Sequence, residues 1–298
     1  MEPLKQALTY KQQIQRLCDV HNLSIPDEPE AIRILSTVNY YRLSGYGIGL
    51  KKNGNKEEYV DNISINTLYR LYLFDSRLRK NLMYILEHIE VQLRTQIAYE
   101  LSLAHGSECY INPSFFLTRV KRDGTNIHSM IIQNFRKECD RQKNLPFVHH
   151  HMTKYGGHFP IWVAVELFTF GNISSLYEIM QKNDQAIISK IYNTSPGHLQ
   201  SWILSLVEVR NLCAHYERIY NMPLHQTPYL FSEYKKYKMS INKLFPVLLA
   251  IKVMMKGNAI YSEFLKELTA IMSEYSDVVN LSFIGFPANW FEVLSFGK

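Results

Sequence analysis

Residues 71–99 read LYLFDSRLRKNLMYILEHIEVQLRTQIAY, and the spacing of their apolar side chains decides the fold. Leu71, Leu78, Leu82, Ile85, Ile89 and Leu93 recur at steps of three and four residues or their sum, which lines one face of an α-helix. Ser64 or Asn66 can cap its start, and Gly106 ends it, so the spacing predicts a helix from there to about Leu103. Upstream, residues 5–21 have helical spacing through Leu8, Ile14, Leu17 and Cys18. Asp27 is placed to cap a second helix holding Ala31, Ile32 and Leu35, which makes a small hairpin. In NYYRLSGYGIGL, residues 39–50, Gly45, Gly47 and Gly49 alternate with Tyr46, Ile48 and Leu50, and the stretch reads as a turn or a short extended piece. Residues 51–63 read as a loop.

Downstream, helices are expected at 125–142, 161–170, 173–182, 184–193, 196–220, 240–256 and 258–275, before a Gly/Pro-containing tail, SFIGFPANWF. The expected fold class is all-α. It comprises an N-terminal helical hairpin and YYRLSGY segment (1–63), a helical bundle (64–240) and a C-terminal helical cap (241–298).

With 298 residues, 46% of them hydrophobic, the chain can bury a sizeable core and is not intrinsically disordered. A net charge of +6 permits an anionic partner without requiring one. The basic residues concentrate in one segment: Arg119, Lys121, Arg122, Arg136, Lys137, Arg141, Lys143 and Lys154 stand against Asp123, Glu138 and Asp140. That segment is a candidate RNA-binding strip, with Phe135 and Phe147 available for stacking. The adjacent His149, His150 and His151, read as lying in a loop, are poor tetrahedral zinc ligands without further partners and are taken as structural or as weak anion contacts. The four cysteines are far apart with no C-x-x-C pair, which argues against a zinc ribbon or a disulfide framework and suits a reducing compartment. The first residues show no signal-like apolar run, and the longest apolar run, Leu244 to Met255, is interrupted by Pro246 and Lys252 and is too short to span a bilayer. A soluble, cytoplasmic protein without membrane contact is expected.

The chemistry concentrates in LSLVEVRNLCAHYERIYN, where Arg210 and His215 make an R-x(4)-H pattern. Taken as one helix over 202–220, with about 100° per residue, Leu206, Val209, Leu212, Cys213, Tyr216, Ile219 and Tyr220 fall on one apolar arc. Glu208, Asn211, His215 and Arg218 fall on the opposite stripe. Arg210 lies roughly 140° from His215, so it reaches round past Asn211 or serves a site completed by a second subunit. Such groups suit RNA cleavage by internal attack. A histidine can take the proton of the 2′-hydroxyl, and a guanidinium can stabilise the charge gathering on the phosphate. Asn211 can hold His215 in one tautomer or meet a phosphate oxygen. The 2′-hydroxyl nucleophile restricts the chemistry to RNA, and no metal or other cofactor is called for. Glu87, Glu90 and Arg94 share one stripe of the long helix and are candidates for supporting the motif through a partly buried network, the simpler reading being an intrahelical Glu90–Arg94 pair. Tyr40, Tyr41, Arg42 and Tyr46 form an aromatic and basic group, suited to packing the hairpin or to base stacking.

RNLCAHYERIYN resembles the C-terminal signature of the Abi-like family of bacterial abortive-infection proteins (the AbiD/AbiF group), which belongs to the HEPN superfamily of helical RNases. NYYRLSGY at 39–46, the 71–99 stretch with Phe74, Asp75, Arg77, Arg79, Glu87, Glu90 and Arg94, FPIWVAVELFTFGNISSLY at 159–177 and IGFPANW at 284–290 resemble further family blocks in the same order. The resemblance implies a HEPN-type bundle, an RNase site often built across a homodimer, and a toxin-like or antiphage role acting on cellular or phage RNA; a regulatory small RNA or an antitoxin is a candidate partner. Carried over, it makes Arg210, Asn211 and His215 the catalytic set; Arg218, on the stripe of His215, is a supporting candidate. One departure is Tyr216, where many members carry another polar residue or histidine; on the helical reading it belongs to packing. Some HEPN relatives only bind, so a non-catalytic RNA- or nucleotide-binding module is the alternative to a metal-independent endoribonuclease.

Overall fold

The computed structural model describes residues 4, 6–55, 57–237 and 239–295. Among these the chain forms thirteen α-helices and no strand, only isolated bridges such as Ser24–Ser64 and Phe116–Met180. The all-α expectation holds, and the reason is visible in the central helix.

The helices are α1 (Tyr10–Asp19), α2 (Glu28–Thr37), α3 (Tyr40–Ser44), α4 (Ile65–His105), α5 (Ile127–Arg141), α6 (Pro146–Lys154), α7 (Ile161–Ala164), α8 (Phe170–Ile179), α9 (Lys182–Ile191), α10 (Pro196–Ala214), α11 (Leu244–Met254), α12 (Ala259–Glu274) and α13 (Trp290–Leu294). The 41-residue α4 is about 60 Å long and runs through the whole molecule. It starts at Ser64, whose hydroxyl accepts from the Thr67 amide while the Thr67 side chain accepts from the Ser64 amide. Its stripe from Leu71 to Leu101 is fully buried, each large aliphatic side chain contributing roughly 1.5–3 kcal/mol. Helices α7, α8, α9, α10 and α12 pack along it. The apolar run at α11, too short for a membrane, is instead buried on every side. No described helix is long and apolar enough to cross a membrane.

The N-terminal hairpin has its own small core of Ile14, Leu17, Leu23, Ala31, Ile34, Leu35 and Leu43, completed by Ile65 and Leu68 from the start of α4. The stretch 39–50, read as a turn or a short extended piece, is helical, α3 followed by a 3-10 turn at Gly45–Leu50. Its glycines serve close packing rather than a strand. A Cβ on Gly47 would stand 2.3 Å from the Tyr59 ring and one on Gly49 2.2 Å from Phe283. The helix predicted at 161–170 breaks at Phe168, because the Thr169 hydroxyl caps a new helix by accepting from the Asn172 amide. His149, His150 and His151 lie on α6, not in a loop.

The largest departure is at the motif. The helix expected to run to residue 220 stops at Ala214. The Tyr216 amide donates to Cys213 O and the Glu217 amide to Leu212 O, while Tyr216 takes a left-handed conformation with φ of 57°. This is the double hydrogen-bond pattern that closes a helix, here with tyrosine where glycine is usual. The wheel therefore holds for Leu206, Val209, Cys213 and Asn211 but fails beyond His215. Tyr216 is 70% exposed rather than on the apolar arc, and Arg218, Ile219 and Tyr220 belong to the following loop.

Candidate active site

Glu90 on α4 joins two helices. Its carboxylate pairs with Arg94 one turn along, and its Oε2 stands 3.3 Å from Nε of Arg210 on α10. Arg94 also donates to the carbonyl of Val165, just beyond α7. The side chains of Glu90 and Arg94 are about nine-tenths buried, and that of Arg210 is one-third exposed. One carboxylate thus faces two guanidiniums, so the group keeps a net positive charge. Arg210 is gripped through Nε, and its outer nitrogens remain directed elsewhere, one of them donating to Asn211 Oδ1 at 3.4 Å. A guanidinium oriented from behind by an acid and open in front is suited to a phosphate.

His215 lies at the C-cap of α10, exposed, and its imidazole has no hydrogen-bond partner among the described residues. Asn211 is exposed one turn before it, and its amide meets Arg210 rather than the His215 ring. The intervening Cys213 is no nucleophile: burial pushes its thiol up to about 12. Of the supporting residues, Glu90 and Arg94 join Arg210 as expected. Glu87 is exposed without a hydrogen bond or ion pair among the described residues, so it stands outside the buried network. Glu208, on the predicted polar stripe, accepts the backbone amides of His225 and Gln226 at 2.8 and 2.6 Å and holds the loop there.

A second network fixes the turn that carries His215 and was not singled out from the sequence. Asp75 is wholly buried in α4. It pairs with Arg79, takes the Tyr46 hydroxyl at 2.8 Å, and accepts the amides of Ile219 and Tyr220 at 3.2 and 2.9 Å. Arg79 reaches Glu217 O at 3.3 Å, and Arg42 donates to Tyr216 O at 2.6 Å. Burial pushes the Asp75 carboxyl above its ordinary value, and Arg79, the Tyr46 hydroxyl and the two amides oppose that shift. The backbone after His215 is thus held from α3 and α4. The signal was present: an acid and an arginine at i and i+4 interrupt the apolar face of α4, positions that only a satisfied pair tolerates.

Arg218 does not share a stripe with His215. Its guanidinium lies 6.0 Å from the centre of the Tyr46 ring and donates to Tyr220 O at 3.2 Å. In the basic segment, Arg119, Lys121, Arg122, Arg136, Lys137, Arg141 and Lys143 are all exposed, with Arg141 paired to Glu138 at 2.6 Å. Phe135 is not available for stacking; it is buried edge-on against Tyr110, Phe159 and Phe168. All four cysteines are free, and among the described residues no group of three or more His, Cys, Asp and Glu side chains is placed to hold a metal ion.

A family model described as Abi-like protein matches residues 33–221, more than half the chain. The match takes in Glu90, Arg94, Arg210, Asn211 and His215, while the 284–290 stretch lies beyond it. Comparison with curated proteins and with solved structures gives no match.

Proposed function

The chain belongs to the Abi-like protein family, and from that premise we propose that it is a metal-independent endoribonuclease of a bacterial abortive-infection system, with a HEPN-type site. The observation that carries this reading is the Glu90–Arg94 support behind Arg210, which leaves a guanidinium facing outward on the same helix end as an exposed imidazole that has no hydrogen-bond partner among the described residues. In this account His215 exchanges protons with the 2′-hydroxyl or the leaving 5′-oxygen, Arg210 stabilises the phosphate as it gains charge, and Asn211 donates its amide to a phosphate oxygen. The products are a 2′,3′-cyclic phosphate or 3′-phosphate end and a 5′-hydroxyl end.

One imidazole cannot serve at the same moment as both base and acid, and Arg210 and His215 make no hydrogen bond to each other. We therefore place a second copy of the chain beside the first, supplying the complementary histidine. Support comes from large apolar side chains left exposed on α4 and α9, Val91, Tyr99, Leu103, Ile187 and Ile191, each 43–68% exposed. Such apolar exposure suits a partner surface. Mass measurement in solution is expected to give a dimer; an active strict monomer would exclude the two-subunit site. A small RNA or antitoxin covering His215 is the proposed restraint in the resting cell, where the protein acts in the cytoplasm. Incubation of purified protein with total RNA tests the activity itself: equal cleavage by the parent and by His215→Ala would take the activity away from this site, and no cleavage by either would leave only an RNA-binding role.

A further inference from the structure

A cleft of about 450 Å³ opens beside the turn after His215, lined by Tyr41, Arg42, Gly45, Tyr46, Glu217 and Arg218 among others. Two guanidiniums face it, and both have only neutral acceptors. Arg42 donates to the Tyr216 carbonyl, and Arg218 to the Tyr220 carbonyl and to Met222 Sδ at 3.0 Å. Neither has a carboxylate within ion-pair distance among the described residues. Glu217, the acid on the rim, pairs with neither, and Asp75 behind Tyr46 is committed to Arg79 and the backbone. Arg218 is half-buried, and a half-buried guanidinium without a counter-ion is costly unless an anion arrives, while Arg42 is exposed at the rim. Tyr41 stands at the mouth, 86% exposed.

We propose that this cleft is an RNA subsite, in which Arg42 and Arg218 hold a phosphodiester of a single-stranded RNA and Tyr41 stacks on the adjacent base. The proposal rests on the nuclease reading for its purpose but not for its test. It gives the N-terminal hairpin a role in binding, because α3 supplies Tyr41 and Arg42 to a groove whose other wall is the loop after the motif. Arg42 couples the two, since the same side chain that meets the phosphate also grips the turn that follows His215. A strand seated there would run past the catalytic imidazole, so the cleft would read the nucleotide flanking the cut.

The test uses the full chain carrying His215→Ala, so that RNA stays intact, and a fluorescent single-stranded RNA oligonucleotide of mixed sequence read by anisotropy over a range of salt. Tyr41→Ala, which removes an exposed ring and should not disturb folding, is expected to weaken binding about tenfold. Arg218→Gln is expected to flatten the dependence of log K on log salt by about 0.7, the loss of one phosphate contact, a readout that general loosening of the loop would not produce. Unchanged affinity in Tyr41→Ala together with an unchanged salt slope in Arg218→Gln overturns the subsite. Adenosine monophosphate serves as a second probe. If it binds in a Tyr41-dependent way while the oligonucleotide does not, the site belongs to a free nucleotide and the RNA assignment fails. If instead neither the parent nor His215→Ala cuts RNA, the nuclease reading falls while these binding results still stand.

Discussion

His215→Ala is expected to lower the rate of RNA cleavage by about two to four orders of magnitude, the range for losing a general acid or base. The substitution should leave the fold intact, since the imidazole is exposed and makes no hydrogen bond among the described residues. A melting curve matching the parent's therefore accompanies the loss of activity and separates chemistry from folding. Arg210→Ala is expected to fall comparably, by about 10²–10³ as for removal of a transition-state donor. Arg210→Lys should not restore it, because an ammonium cannot both accept the grip of Glu90 at Nε and present a second donor edge to phosphate. Cleavage that survives both substitutions would remove the motif from the chemistry.

Asp75→Ala is the change expected to cost the most stability, about 3–5 kcal/mol. It leaves the Arg79 guanidinium buried without its counter-charge, strands the Ile219 and Tyr220 amides and frees the Tyr46 hydroxyl. Each of these groups lies where water cannot replace the lost partner. For a chain of this size the shift in melting temperature is on the order of 10 °C. Asp75→Asn keeps the shape and one acceptor for the amides but not the charge, so it should fall between the parent and the alanine variant. Unfolding in denaturant measures the difference. A loss below about 1 kcal/mol for Asp75→Ala would mean that the turn after His215 is held by something other than this network.

The long helix was legible because its register is written in large aliphatic residues from Leu71 to Leu101, and burial of that stripe outweighs every local preference. The core of α10 was legible for the same reason. The end of α10 was not. Periodicity carries on through Tyr216, Ile219 and Tyr220, which are apolar at helical steps, yet the chain leaves the helix. The cause is tertiary: Arg42, Asp75 and Arg79 bind the backbone of residues 216–220 and hold Tyr216 left-handed. No local signal such as glycine at 216 announces it. Glu90 and Arg94 could be picked out because charges on an apolar face need partners, and by the same logic Asp75 and Arg79 were within reach. Glu87 sits one turn away but on the solvent side, which spacing alone did not separate. The glycines at 47 and 49 misled in the opposite direction, since they answer to the Tyr59 and Phe283 rings rather than to an extended backbone.

The ends of the RNA products made in the presence of a metal chelator test the account most directly. Attack by the 2′-hydroxyl under His215 and Arg210 predicts that cleavage continues with chelator present and yields 2′,3′-cyclic phosphate or 3′-phosphate ends together with 5′-hydroxyl ends. Products bearing 5′-phosphate and 3′-hydroxyl ends, or cleavage abolished by the chelator, would contradict it.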